Sequence, residues 1–466
     1  MMASSTLAFT RDIYVNRRKA LMKSMGKGRI LLLGNEYVGM NYKDNAYPFR
    51  QDSTFLYYIG IDQPGLMAII DADKGRTYLF GNELTIDDII WTGKVPSLRE
   101  LADASGLERV KSRVDIIKYI DADVHYLPPY RDDHVVLLSK LTGKKNRKID
   151  KQVSNKLIRA VYKQREIKSP VELEQMNIAS TLSHKMHLAV MKAAKAGMKE
   201  HDLVSIAAQA AWSGNVSFAY PPILTINGQV LHNHEYGNEL KEGDMILYDG
   251  GCEAPSHYAG DITRTFPVAK SFSTQQKSIY DIVHAAYDQA VKLSQPGTNN
   301  IDVHMGASKV IASGLKDIGI MKGDVDEAVE AGAHTMFFPH GLGHVIGLDV
   351  HDMENLGEDN IGYSKSVKRR QEFGFRSLRL GKALKEGFCI TIEPGIYFIP
   401  DLIEKRRKEK KHKDFINYSE LNKWKNLGGI RLEDDYVITS AGAQKLGIDI
   451  PTSSSEIEAY RAEGLS

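Results

Sequence analysis

The side chains best equipped for chemistry are carboxylates and histidines gathered between positions 249 and 435. Asp249 closes the run Lys241-Glu242-Gly243-Asp244-Met245-Ile246-Leu247-Tyr248-Asp249, and Glu393 closes Lys385-Glu386-Gly387-Phe388-Cys389-Ile390-Thr391-Ile392-Glu393. Each run starts Lys-Glu-Gly, passes through strand-like residues and reaches its acid eight residues after the lysine, with Gly250 or Gly395 close behind. A further acidic segment follows each: Asp261-Ile262-Thr263-Arg264-Thr265-Phe266 after the first, and Ile430-Arg431-Leu432-Glu433-Asp434-Asp435-Tyr436-Val437-Ile438 after the second. Between the halves, His340, His344 and His351 fall within twelve residues. Acids at strand ends are expensive to bury unless something compensates them, and several converging carboxylates would repel one another. A pair of divalent cations would neutralise them. An oxygen-rich set with few imidazoles suits hard or borderline ions, Mn2+ first. Two such ions lower the pKa of a water and stabilise a developing oxyanion, so the pattern points to hydrolysis.

Two other patterns in this stretch are weaker. Gly341-Leu342-Gly343-His344-Val345-Ile346-Gly347 has glycines like those of a dinucleotide loop, but the third is one position late. His340 and His344 have the i, i+4 spacing of a zinc-protease helix, but Gly341 stands where that motif carries its general base.

The elements that must position these groups can be read from periodicity. Side chains alternate faces along a strand, so Met245, Leu247 and Asp249 share one face, as do Cys389, Thr391 and Glu393. The repeat implies an approximate two-fold arrangement with facing acids. A helix is predicted to start at Ser169 as cap, with Pro170 at its first position and Glu172 completing a capping box. Leu173, Met176, Leu182, Met186 and Val190 continue it toward a terminator at Gly197. A second helix is predicted over about 201–212. The first 150 or so residues read as mixed α/β, with short apolar runs at Ile30–Leu33, Phe55–Ile59, Leu66–Ile70 and Thr77–Phe80 and a hairpin turn over Asp71–Arg76. A domain boundary is expected within 157–168, giving domains of 1–160 and 168–466.

These residues resemble the pita-bread metallopeptidases, in the branch containing aminopeptidase P and prolidase. The likeness spans nearly the whole chain: Phe49-Arg50-Gln51-Asp52-Ser53-Thr54-Phe55-Leu56-Tyr57-Tyr58 is similar to the branch's non-catalytic domain, and 168–466 to its catalytic domain. The resemblance implies an α/β N-terminal domain followed by an α+β pita-bread domain with a curved, pseudo-two-fold antiparallel sheet. It implies metal ligands at Asp249, Asp261, His344, Glu393 and Glu433, with Asp261 and Glu433 bridging two ions (Mn2+, with Co2+ or Zn2+ as alternatives). Glu393 is then also the acid/base. His232, His340 and His351 surround the substrate, Arg431 and Tyr397 support the site from behind, and Trp91 is a pocket tryptophan lent by a neighbouring subunit. The implied reaction is hydrolysis of an Xaa-Pro bond in peptides with proline second, of the aminopeptidase P type. The alternatives are a prolidase confined to dipeptides and a non-catalytic pita-bread binding module. A homodimer or higher homo-oligomer is implied as well. The Asp249–Asp261 spacing of twelve is one residue longer than usual for the family, and the extra residue falls in the hairpin tip Ala254-Pro255-Ser256-His257.

Composition sets outer limits. The chain has 466 residues, 42% hydrophobic and 26% charged, which is ordinary for globular domains. Lys and Arg total 61 against 59 acids, a net charge of +2, so no nucleic-acid partner is expected. No apolar run is long enough to span a membrane, and the first residues lack a signal-peptide core. Two cysteines argue against a disulfide framework and fit a cytoplasmic protein. The basic run Lys405–Lys413 is read as a solvated helix face.

Overall fold

The structure is a computed structural model that describes residues 7–465. The described chain divides into two compact units, one comprising 7–165 with 355–357 and the other 166–354 with 358–465.

In the N-terminal unit the strands Arg29–Leu33, Met67–Asp71, Arg76–Gly81 and Arg109–Ser112 form one sheet in that order. The first three are antiparallel and the last pair is parallel. The hairpin between Asp71 and Arg76 forms as its turn residues predict. Leu31, Ile69, Tyr78, Phe80 and Tyr126 pack into a core on one face. Three of the four apolar runs are strands. The fourth, Phe55–Ile59, lies in a helix over Ser53–Ile59. Local capping outweighs its β-like composition: Asp52 Oδ1 accepts from the Phe55 N–H at 2.7 Å, and Gly60 closes the turn in the left-handed region at φ 76°.

The C-terminal unit is built twice over from a pair of helices followed by strands. Pro170–Ala193 and Glu200–Ser213 precede the sheet Ile223–Thr225, Met245–Asp249 and Thr263–Pro267. Thr274–Leu293 and Asn300–Asp317 precede the sheet Cys389–Ile392, Asp434–Thr439 and Gly442–Lys445. The short ladder Gly395–Tyr397 with Gly429–Arg431 continues the second half. All these pairings are antiparallel, and a bridge between Thr263 and Glu433 joins the two sheets. The helix at Ser169 starts as predicted: the Ser169 N–H and hydroxyl both donate to Glu172 Oε2, at 3.0 and 2.7 Å. It ends at Ala193, and Gly197 lies beyond it in the following turn at φ 86°.

Candidate active site

The first repeat delivers Asp249 as the last residue of a fully buried strand. Its face partner Leu247 packs on Ile223 and Tyr397, so alternation leaves Asp249 pointing the same way. The Ala254–His257 tip closes as a turn, with the Ala254 N–H bonded to Tyr258 O at 2.7 Å and the His257 N–H to Ala254 O at 2.8 Å. The longer tip is absorbed there, and Asp249 and Asp261 remain side by side: the Tyr220 hydroxyl contacts Oδ1 of both.

The second repeat places Glu393 just beyond the strand Cys389–Ile392, its N–H bonded to Leu342 O at 2.7 Å. Glu433 precedes the strand Asp434–Thr439, and its Oε2 accepts from Thr263 Oγ1 at 2.6 Å. The other two acids of that triplet turn elsewhere. Asp434 accepts two hydrogen bonds from Arg264, both at 2.9 Å, and Asp435 accepts from Ser180 Oγ at 2.7 Å and from the Asp261 N–H at 3.1 Å. Glu433 is thus the member of the triplet on the cavity wall.

His344 sits in a loop between the halves. Its Nδ1 lies 3.0 Å from Val345 O, which assigns a proton to Nδ1 and turns Nε2 to the carboxylates, 3.3 Å from Asp261. Potential donor atoms of Asp261, His344 and Glu433 all lie within 4.8 Å of one another. The glycines around His344 answer a packing demand. A Cβ on Gly343 would lie 2.0 Å from Thr391 O, and one on Gly341 would lie 2.7 Å from Leu378 Cα. This stretch is neither a dinucleotide loop nor a zinc-protease helix: residues 341–347 contain no helix.

These groups open into one cavity of about 630 Å³, lined by Asp249, Asp261, His344, Glu393 and Glu433 together with His232, His340, His351 and Arg431. That volume suits a small ligand. Arg431 Nε donates to Thr263 Oγ1 at 3.1 Å, Nη1 to the Tyr397 hydroxyl at 2.8 Å, and Nη2 to Asp249. The Tyr397 hydroxyl in turn faces His340 Nε2 at 2.8 Å, while His340 Nδ1 lies 2.8 Å from Gly341 O. Both ring nitrogens of His340 are therefore engaged. The His351 ring lies 4.1 Å from that of His344, with its Nδ1 3.2 Å from Glu354. His232 lines the cavity, and so does His234. Trp91 belongs to the N-terminal unit, is 86% exposed and does not line this cavity.

Sequence reasoning missed Tyr220 and Arg379, both cavity-lining, and Thr263, whose hydroxyl serves Glu433 and Arg431. Tyr220 and Arg379 stand outside the repeat, so no pattern singled them out. Thr263 lies in the segment that was singled out, but its acid drew attention first.

The electrostatics fit a divalent metal centre. Burial pushes Glu393 up to about 7, against the pull of His344 and Arg431. Burial raises Asp249 despite Arg431, and burial with Asp261 and Glu393 raises Glu433 well above the usual carboxylate range. Burial also opposes charge on His344, but its bond to Asp261 prevails and raises it to about 9. The same bond, working against burial, holds Asp261 low. The cluster is short of positive charge, and its donors are four carboxylates and one imidazole, a hard-to-borderline set.

A buried, oxygen-rich candidate metal site at the junction of two half-sheets fits the class of hydrolytic metalloenzymes. The chain belongs to metallopeptidase family M24, whose pattern matches residues 174–440; residues 14–127 match the aminopeptidase P N-terminal domain. It is 32% identical over 451 residues to the Xaa-Pro dipeptidase of Homo sapiens, covering 93% of this chain and 88% of that protein. It is 31% identical over 480 residues to the Xaa-Pro aminopeptidase of Escherichia coli K12, covering 97% of each. The structure of zinc-substituted E. coli aminopeptidase P in complex with product superimposes with a TM-score of 0.81 at 28% identity, covering 98% of this chain and 99% of that one. Pseudomonas aeruginosa aminopeptidase PepP gives 0.80 at 28%, with the same coverage.

Proposed function

We propose that this chain hydrolyses the bond between an N-terminal residue and a following proline. The observation that carries the reading is the convergence of Asp249, Asp261, His344, Glu393 and Glu433 in one cavity with His232, His340 and His351. We assign those five residues to hold two divalent ions, Mn2+ first on the oxygen-rich donor set. When bound, such ions supply an acidified water and a Lewis acid for the scissile carbonyl.

The chain's own groups do the rest. Glu393 accepts a proton from the attacking water and returns it to the leaving proline nitrogen. Arg431 holds Asp249 in place through its three-way bonding. Tyr397 fixes the His340 ring, which then shapes the wall and orients the peptide. His351 presents Nε2 to the substrate, because its Nδ1 is committed to Glu354. The reading includes a reducing cytosol, supported by two buried free thiols, and a homodimer in which Trp91 meets a neighbour's substrate.

A second reading, restriction to dipeptides, has one observation in its favour. Arg379 lines the cavity; its Nη1 already pairs with Glu354 at 2.5 Å and Glu358 at 3.0 Å, and the rest of its fork is the group we assign to the carboxylate that a dipeptide carries next to its proline ring. The test gives Mn2+-loaded protein an Xaa-Pro dipeptide and an Xaa-Pro-Yaa tripeptide and scores release of the first residue. Tripeptide cleavage supports the aminopeptidase reading, and dipeptide cleavage alone supports the second. Cleavage of neither by metal-loaded protein would overturn the substrate assignment. Arg379→Met is expected to raise KM for the dipeptide at least tenfold while leaving the tripeptide nearly unchanged.

A further inference from the structure

Lys168 and Asp352 form an ion pair outside the chemistry described above. Lys168 Nζ lies 2.8 Å from Asp352 Oδ2, with side chains 2% and 1% exposed. Burial works against the Lys168 ammonium, yet Asp352 prevails and holds its pKa above the usual lysine value. Taking two charges out of water is costly and gives weak evidence of stabilisation, so the pair calls for another explanation.

Its surroundings supply one. Asp352 directly follows His351 and closes the loop that began at His344: its N–H bonds Val345 O at 3.0 Å. A Cβ on Gly347 would lie 2.5 Å from Asp352 Oδ2 and 3.0 Å from Lys168 Cε, so the loop backbone rests directly on the pair. The other end of Lys168 is fixed, its N–H bonded at 2.8 Å to Gly387 O, just ahead of the strand that leads to Glu393. One residue thus reaches from the Glu393 strand to the neighbour of His351.

We propose that Lys168, acting through Asp352, is a positioning residue for His351, setting where that imidazole stands beside His344. The proposal rests on the reading that His351 meets the substrate. A displacement of about 1 Å at such a group costs roughly a hundredfold in rate, whereas a purely structural staple would act through stability alone.

The test uses full-length, metal-loaded Lys168→Met, Asp352→Asn and the double variant Lys168→Met/Asp352→Leu. The readouts are kcat and KM on an Xaa-Pro dipeptide, metal per chain and melting temperature. His351→Ala is made alone and combined with Lys168→Met. Each single variant leaves one buried group unmatched and is expected to melt earlier. The double removes both charges of the pair and is expected to recover its melting temperature. Metal content is expected to stay unchanged throughout, with kcat down about tenfold to a hundredfold in the singles and in the double alike. His351→Ala is expected to cost little more in the Lys168→Met background, because the two share one effect. Recovery of kcat with melting temperature in the double would overturn the proposal, as would full multiplicative costs in the combined variant. Asp352→Asn, nearly isosteric, decides on kcat if Lys168→Met does not fold. Unchanged kcat in His351→Ala would instead overturn the assignment of His351 itself.

Discussion

At the residue scale, the site depends on groups that satisfy several partners at once. Asp261 faces His344 Nε2, the Tyr220 hydroxyl and, through its N–H, Asp435. Asp261→Ala is expected to lose metal and turnover together, measured by metal analysis beside a kinetic assay; full activity in that variant would remove it from the site. Arg431 serves Thr263, Tyr397 and Asp249 with a planar fork that lysine cannot reproduce. Arg431→Lys is expected to lower kcat/KM at least tenfold while the far-ultraviolet spectrum stays native. The acids and histidines at this scale were legible because their types are costly to bury and their spacing repeats. Tyr220 was not: a tyrosine beside two prolines reads as packing until the fold brings Asp249 and Asp261 to its hydroxyl.

At the element scale, close approach and burial set the tolerances. Gly343 has no room for a Cβ against Thr391 O, and it immediately precedes His344. Gly343→Ala is therefore expected to destabilise by about 1–3 kcal/mol and to weaken metal binding, read by thermal melts with and without metal. The helix Asn300–Asp317 and the turn Ala333–Met336 carry His304 and His334, whose rings pack tilted against Phe338 and edge-on against Phe375. Neither ring has a hydrogen-bond partner among the described residues. Burial lowers them to about 4 and about 3. Their folded pKa values lie below the unfolded value near 6.5, so below about pH 6.5 the unfolded chain takes up protons that the folded chain refuses. Stability then falls as pH falls, by about 1.4 kcal/mol per pH unit for each histidine, until the folded values are reached. His304→Phe is expected to flatten this slope in denaturant titrations at pH 5 and pH 7; an unchanged slope would mean that His304 takes up a proton while folded. The helix start at Ser169 was legible because capping is local. The helix over Ser53–Ile59 was not, since its aromatic and β-branched run matches a strand and only Asp52 and Gly60 decide otherwise. The basic run was read as a helix face, and only part of it is one: the helix Pro400–Lys408 ends before the last lysines.

At the scale of the whole molecule, the repeat was the most informative feature of the sequence. Two Lys-Glu-Gly runs ending in acids became two half-sheets joined through Thr263 and Glu433. What the sequence pattern lacked was depth. It gave no sign that Lys168, more than 180 residues before Asp352, lies beneath the loop between the halves. No helix among the described residues is long and apolar enough to cross a membrane. The central claim is that five side chains from both halves hold two divalent ions that turnover requires. Its most direct test strips the protein of metal, titrates it with Mn2+ and follows bound metal and Xaa-Pro cleavage together. The account predicts inactive apo protein, saturation at two ions per chain and activity rising with occupancy. Full cleavage by metal-free protein, or saturation at fewer than two ions with full activity, would contradict it.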